Sequence, residues 1–583
     1  KLTAGLMYEY QMADNMYMRN GTGYYRYKSL EDFLSSAAPE VVNLTYGYNG
    51  ETDPAARVTF NKAGLYLQDE WTINENFLLN YGLRIDGLFF DNSDLMTNNA
   101  LLDEEYLGKH FDTGKWPGSN FTFAPRVGFS YDVLGDKSLK VRGGTGFFQG
   151  RLPLVFFTNM PTNSGMVQYN AQINEKNASK NGFTMDQFAG GIITDKSKLQ
   201  EKLISLGYPQ TIDPTKGELS SGMCAVDPDF KLPLVWKTSV AVDYSLPTDF
   251  PLSVSAEGIY TKNIYETTIH DYAVPDVNGF ARFNGADNRP IFPDNFTGGK
   301  KNLYVLENTT KGYGFQTSAT VKAEPTRNIS LMAAYTHTVK KELTSLPGSN
   351  ASSVLNYIST VEGPNSMKLH NGANVTPDRF VANATFHDKA NNHYSIIYET
   401  WRGGNAYSYE MTNDMNGDGF NYDAMYIPTD EEVASGLFRF VDKDSETRFM
   451  DFVHNNSYLK DHQGEYAEPF SAYNPWIHRI DFSYKHDFKF NIANTEHKIQ
   501  LSADIKNLLN LFNSKWGVSK VANPKFTGSN NDFRALTYEG VDKEGYATFS
   551  TPNGIDGNTQ IWTRNHAIGQ CWYMSIGVKY IFN

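Results

Sequence analysis

Apolar side chains in this chain recur at every second position, and the runs that carry them come in pairs. The chain ends CWYMSIGVKYIFN (571–583), which puts Trp572, Met574, Ile576, Val578, Tyr580 and Phe582 on one face of a strand, with Cys571, Tyr573, Ser575, Gly577, Lys579 and Ile581 between them. FLLNYGLRIDGLFF (77–90) repeats the pattern: Phe77, Leu79, Tyr81, Leu83, Ile85 and Phe89 alternate with Asn80, Gly82, Arg84 and Asp86. In HKIQLSADIKNLLN (497–510), Ile499, Leu501, Ala503 and Ile505 alternate with Lys498, Gln500, Ser502, Asp504 and Lys506. A period of two rather than 3.6 marks strands whose faces meet different surroundings.

The spacing of the runs constrains the fold further. Within a pair the runs are separated by short polar turns, around Asn74–Asn76, Gly135–Lys137, Pro247–Asp249, Pro325–Asn328, Asn391–Asn392 and Asn491–Glu496. Between pairs lie loops of tens of residues, such as 150–232, 412–476 and 513–568. Short turns at one end and long loops at the other is the topology of an outer-membrane β-barrel. Closure of such a barrel pairs the backbone groups that lipid cannot satisfy. Soluble propellers and tandem sandwiches also alternate, but their loops do not sort by length to opposite ends. The pattern predicts an all-β, transmembrane antiparallel barrel of about fourteen strands, with the final stripe facing outer-membrane lipid.

Composition agrees. Mean hydropathy is −0.48 although aromatics make up 14% of the residues, as expected when apolar faces are balanced by polar ones. No run of 18 apolar residues offers a membrane helix. The net charge of −13 argues against a nucleic-acid partner. Two cysteines, Cys224 and Cys571, form no CxxC pair, so neither a zinc site nor a disulfide framework is expected. No signal peptide opens the sequence, which begins in the strand-like KLTAGLMYEY.

Several stretches resemble TonB-dependent outer-membrane transporters, and within them the Oar-like branch of Bacteroidota and myxobacteria. NFTFAPRVGFSYDVLGDKSLKVRGGTGFFQGR (120–151) resembles that family's strand–turn–strand, and ADIKNLLNLFN (503–513) its penultimate strand. GTGYYRYKSLEDFL (21–34) and NDMNGDGFNYDAMYIP (413–428) resemble two further segments, and the aromatic end matches except that Asn583 follows Phe582. The resemblance implies energy-coupled import of a bulky nutrient (glycan, peptide or chelate) by a non-enzyme in the Gram-negative outer membrane. It also implies a barrel of 22 strands around a plug, a TonB complex that pulls an N-terminal segment, and, as further partners, a surface lipoprotein or other complex subunits. No plug or TonB box is read before Lys1, so residues 1–583 are expected to be the C-terminal portion of one barrel domain. The alternative is a barrel serving adhesion, secretion or surface-complex assembly.

Asp414, Asn416 and Asp418 followed by Gly419 begin a calcium loop, with oxygen ligands at positions 1, 3 and 5 and the Gly at 6. Position 12 is Met425 rather than Glu, and Asp423 is the late carboxylate, so the bland alternative is a solvated acidic turn. No other cofactor is expected. His478, Arg479 and Asp481 fit a polar barrel wall better than acid–base chemistry, and no nucleophile elbow, phosphate loop or HExxH occurs. Arg84, Asp86, Arg142, Lys498, Asp504 and Lys506 are read as lumenal charges. Tyr, Trp and Asn in WRGGNAYSYEM (401–411) and SAYNPW (471–476) suit either glycan or peptide platforms or an interfacial girdle.

Overall fold

The paired runs become a meander of long antiparallel strands. A computed structural model of the chain describes residues 1–583 except 221, 347, 404, 405, 494, 529–531 and 583, so Asn583 and part of the turn at 491–496 lie outside the described residues. The strands are β1 (Leu2–Met16), β2 (Ala55–Asn74), β3 (Phe77–Asp91), β4 (Asn120–Asp132), β5 (Leu139–Gln149), β6 (Leu234–Ser245) and β7 (Leu252–Asp271). They continue as β8 (Tyr313–Thr326), β9 (Ile329–Glu342), β10 (Asp378–His387), β11 (Asn392–Arg402), β12 (Ile477–Ile492), β13 (Thr495–Lys506) and β14 (Tyr573–Phe582). Each pairs antiparallel with the next in chain order. Three short segments join the same sheet at its loop end, Met223–Val226, Leu303–Thr309 and His370–Asn371. Among the described residues, β1 pairs only with β2 and β14 only with β13, and the two are not paired with each other.

The register sorts side chains by polarity. Met574, Ile576, Val578 and Tyr580 stand opposite Ile505, Ala503, Leu501 and Ile499, while Ser575, Gly577 and Lys579 stand opposite Asp504, Ser502 and Gln500. The apolar face is the more exposed one. Ile576 and Val578 are 74% and 71% exposed, and Val240 in β6 is 53% exposed beside Ala241 at 2%. Inverted exposure of this kind is expected of a sheet whose outer solvent is lipid.

The polar face is held together by ion pairs within and between strands. Arg84 contacts Asp86 at 2.7 Å, Arg142 reaches Asp243 at 2.9 Å and Glu257 at 3.3 Å, Lys498 contacts Asp487 at 3.0 Å, and Lys506 contacts Asp481 at 2.8 Å. Asp504 accepts the Ser483 hydroxyl.

The long connections do not hang free. Those following β1, β3, β5, β7, β9, β11 and β13 fold over one end of the sheet as a cap with its own apolar cores. One core joins Val58 and Phe60 at the upper end of β2 to Phe157, Val226, Leu306, Val354 and Phe470 from four connections. Another gathers Phe283, Tyr409, Phe449, Val453, Phe533 and Phe549 from three. This explains the length of β2 and β7. Both have 20 residues, against about 9–11 for a membrane crossing, and their upper halves belong to the cap. The cap also contains the helix Lys443–Asn455, whose N-cap Asp442 accepts the Ser445 amide at 2.7 Å and whose Phe449, Phe452 and Val453 are buried.

Candidate functional site

Two places bring polar groups together: the wall of the sheet and the interior of the cap. On the wall, Gln68, Gly82, Arg126, Gly146 and Lys237 form one row across β2–β6. The glycines keep the row low; a Cβ on Gly146 would lie 2.8 Å from Arg126 Cγ and 3.0 Å from the Pro125 carbonyl oxygen. Arg126 and Lys237 share the Phe148 ring, at 4.4 and 5.9 Å from its centre. Neither makes an ion pair among the described residues, unlike Arg84, Arg142, Lys498 and Lys506. The result is a groove of about 510 Å³ that also includes Tyr66 and Arg84. It can take a carboxylate or other anionic group. Sequence reading named Arg84 but missed Arg126 and Lys237; the available signal was an unbalanced cation on the same face as alternating glycines.

Inside the cap, Arg289 is fully buried. Its guanidinium donates to Asp287 Oδ1 at 2.9 Å and Oδ2 at 2.8 Å, to Asp423 Oδ1 at 2.9 Å and to the Ala424 carbonyl at 2.6 Å, and it lies 5.4 Å from the Tyr466 ring centre. Tyr466 donates its hydroxyl to Asp287 at 2.9 Å. Glu410 and Asp532 are buried on the adjoining strands of the cap sheet, where Arg534 contacts Asp532 at 2.8 Å and Glu410 at 3.9 Å. Burial, and then Asp532 beside it, holds the Glu410 carboxyl well above the usual range.

The acidic loop predicted from sequence is wound around Asp414, whose carboxylate accepts the amides of Gly417 at 2.8 Å and Gly419 at 2.9 Å. Asn416 Oδ1 accepts the Asp418 amide at 3.0 Å, and Asp418 Oδ1 accepts the Phe420 amide at 2.8 Å. Asp423 turns elsewhere, to Arg289 and to the Met415 amide at 2.7 Å. Among the described residues, no three His, Cys, Asp or Glu side chains are placed to hold a metal ion. Burial, with Asp423 and Asp414 nearby, pushes Asp418 up to about 7. Burial likewise raises Asp423 to about 6 in spite of Arg289.

His478, Arg479 and Asp481 have structural partners. Tyr398 Oη and His478 Nδ1 are 2.8 Å apart, Arg479 donates to Gln570 Oε1 at 2.8 Å and the Gly517 carbonyl at 3.0 Å, and Asp481 accepts Lys506 and the Asn507 amide, each at 2.8 Å. The aromatic segments 401–411 and 471–476 meet in the cap beside a separate cleft.

A family model described as "Outer membrane beta barrel domain" matches residues 1–538. No curated protein matches the sequence. Among solved structures, the chain is similar to the outer membrane transporter YddB from Escherichia coli, at 11% identity and a TM-score of 0.46, covering 100% of this chain and 51% of that one. It is also similar to the FrpB iron transporter from Neisseria meningitidis (10% identity, TM-score 0.37, 87% and 49% covered). A third is the siderophore receptor PiuA from Acinetobacter baumannii (10% identity, TM-score 0.33, 88% and 42% covered). The chain thus spans about half the length of each of these structures.

Proposed function

Since this chain belongs to the outer membrane beta barrel domain family, we propose that it is the barrel portion of a TonB-dependent transporter or receptor that imports a bulky nutrient. The observation that carries this reading is the cap. Seven connections fold together over one end of the sheet, while the six at the other end are turns of a few residues. A structured mouth above a polar wall is what capture followed by passage requires. Arg126 and Lys237, which make no ion pair among the described residues, lie on that wall, where an anionic part of the cargo or of a plug would pass.

The edges of β1 and β14 extend the proposal. A strand edge facing hydrocarbon leaves backbone groups unsatisfied at several kcal/mol each, so further strands are proposed to stand between them. Two readouts on the protein as the source bacterium makes it test the whole reading. Loss of the gene and loss of TonB should share a growth defect on at least one nutrient. A gene loss that impairs only adhesion or surface assembly would favour the alternative. In a background lacking Cys224 and Cys571, cysteines at Gly5 and Gly577 should not form a disulfide, and ready formation would show β1 closing directly on β14.

Calcium at Asp414, Asn416 and Asp418 is a further proposal, supported by the excess of buried carboxylates around Arg289 and Arg534. The ion would be held by two carboxylates, an amide oxygen and backbone or water oxygens, without Asp423. The raised Asp418 gives the test its sign. A carboxyl with a folded pKa of about 7 binds a proton more readily folded than unfolded, so with EGTA present its ionisation weakens the fold as pH rises from about 4 to about 7. Asp418→Asn should therefore gain thermal stability over the parent across that window. Millimolar calcium at pH 7.5 should raise the melting temperature of the parent and leave that of Asp418→Asn unchanged. Equal responses of the two proteins would retire the ion.

A further inference from the structure

Arg402 and Tyr409 of segment 401–411 and Ser471 and Tyr473 of segment 471–476 meet helical residues 452–458 and the stretch 557–562 around a cleft of about 310 Å³ in the cap. That volume is at the lower end of about 300–1,000 Å³ for ligand pockets. The lining has two chemistries. The rings of Tyr473 and Trp562 supply flat apolar faces, Tyr458 being stacked on Tyr409 and His462, and Arg402, Asn455 and Thr559 supply polar groups.

The rings are held in place. Tyr458 stacks on Tyr409 with centres 5.7 Å apart and planes 7° apart, and Tyr409 Oη accepts Asn456 Nδ2 at 2.9 Å. Trp562 meets Tyr407 edge to face at 5.4 Å, and Tyr473 pairs with Ala406 in the cap sheet. Several polar groups are free for a ligand. Arg402 stands over the Tyr473 ring at 5.6 Å and opposite Asp378 of β10 in the register, and it makes no ion pair among the described residues. Trp562 Nε1 has no acceptor among them. Asn455 donates Nδ2 to the Asp451 carbonyl at 2.9 Å, which leaves Oδ1 open to solvent.

We propose that this cleft binds the sugar rings of an acidic oligosaccharide, with a carboxylate at Arg402. A pyranose ring carries C–H faces that lie on aromatic rings and a rim of hydroxyls that pair with amide, indole and guanidinium groups. This lining offers both. A purely apolar ligand would leave the polar groups buried without partners, and the single cation is too little for a polyphosphate. Arg402, which makes no ion pair among the described residues of a chain with a net charge of −13, is a local site for one anionic group. The inference names a ligand class for the receptor proposed above and rests on that reading for its purpose. The binding itself can be measured apart from transport.

The test is isothermal titration of the detergent-solubilised protein with tetragalacturonate and with neutral maltotetraose. Tetragalacturonate should bind saturably and more tightly than maltotetraose. Trp562→Ala and Tyr473→Ala should each weaken it by about tenfold or more, while Trp562→Phe, which keeps a ring, retains most of the affinity. Arg402→Gln should bring the acidic oligomer down to the level of the neutral one. Near-ultraviolet circular dichroism matching the parent shows that each variant keeps the cap folded. The absence of saturable binding, or binding indifferent to the Trp562 and Arg402 substitutions, overturns the assignment and leaves the import reading untouched. Loss of TonB dependence with binding intact would overturn import and leave the cleft assigned.

Discussion

Replacing Arg289 with methionine should lower the stability of the cap by about 3–5 kcal/mol, the usual consequence of removing one partner from a buried ion pair. The guanidinium is fully buried and makes four hydrogen bonds within 3 Å, to Asp287, Asp423 and the Ala424 carbonyl. Methionine fills much of the same volume and supplies no donor. Two carboxylates then remain buried beside each other with their charge uncompensated. The loss should also depend on pH. Asp423 is raised to about 6 even with Arg289 present, and without it the carboxyl rises further. A folded pKa above the unfolded one means that the penalty is present at higher pH and is lost as pH falls through the folded value. The deficit of Arg289→Met should therefore be largest near pH 8 and shrink towards pH 5. Adding Asp287→Asn and Asp423→Asn to the variant should recover most of it. Urea titration in lipid vesicles, with hydrogen exchange at residues 283–292 and 423–427 to place the change in the cap, gives the measurement. A loss below about 1 kcal/mol at pH 8 would show that the cluster reorganises around water or a cation.

The second large effect concerns the wall. Val240→Lys should destabilise the folded protein in vesicles by about 2–4 kcal/mol, the cost of a lysine at the bilayer midplane on the lipid face of a barrel. Val240 lies midway along β6 on the apolar face, opposite Gly143 of β5 and Gly258 of β7, so no large neighbour shields it. The neighbouring Ser239→Lys places the same charge on the opposite face, near Gly144 and the groove, and should stay within about 1 kcal/mol of the parent. The contrast between adjacent positions is the result that matters. Equal, small effects would mean that the apolar face meets water or protein instead of lipid. The lipid assignment of Trp572, Met574, Ile576, Val578, Tyr580 and Phe582 would then fall with it.

The sheet was legible in the sequence because strand, face and turn leave marks at short range. Asp132 closes the turn between β4 and β5 by accepting the amides of Gly135 and Lys137, and both residues of that turn with positive φ are within the predicted Gly135–Lys137. The alternation in β14 marked which residues share a face, and Met574, Ile576, Val578 and Tyr580 do stand together opposite the apolar residues of β13. The cap was not legible for the opposite reason. Segments such as 412–476 carry no single period, since their apolar residues answer to partners from other connections: Phe449 packs with Phe283 and Phe549. The acidic loop shows both outcomes within a few residues. Asp414, Asn416 and Asp418 form the tight turn that their spacing announced, but Asp423 was claimed by Arg289, 134 positions away, which no local motif could reveal.

The way the cap is stitched together sets the order in which this chain can assemble. Turns of a few residues let neighbouring strands meet at small loss of chain entropy. Asn284, by contrast, donates to the carbonyl of Glu544 across 260 positions. Such distant contacts are slow to form from an open chain, and become near neighbours only when β8–β13 have already zipped up between them. The cap should therefore be the last part to solidify and the first to loosen, with its connections crossing the membrane unfolded. A change such as Arg289→Met would then act mainly on how fast the finished mouth comes apart, and leave the rate at which the sheet forms almost unaltered.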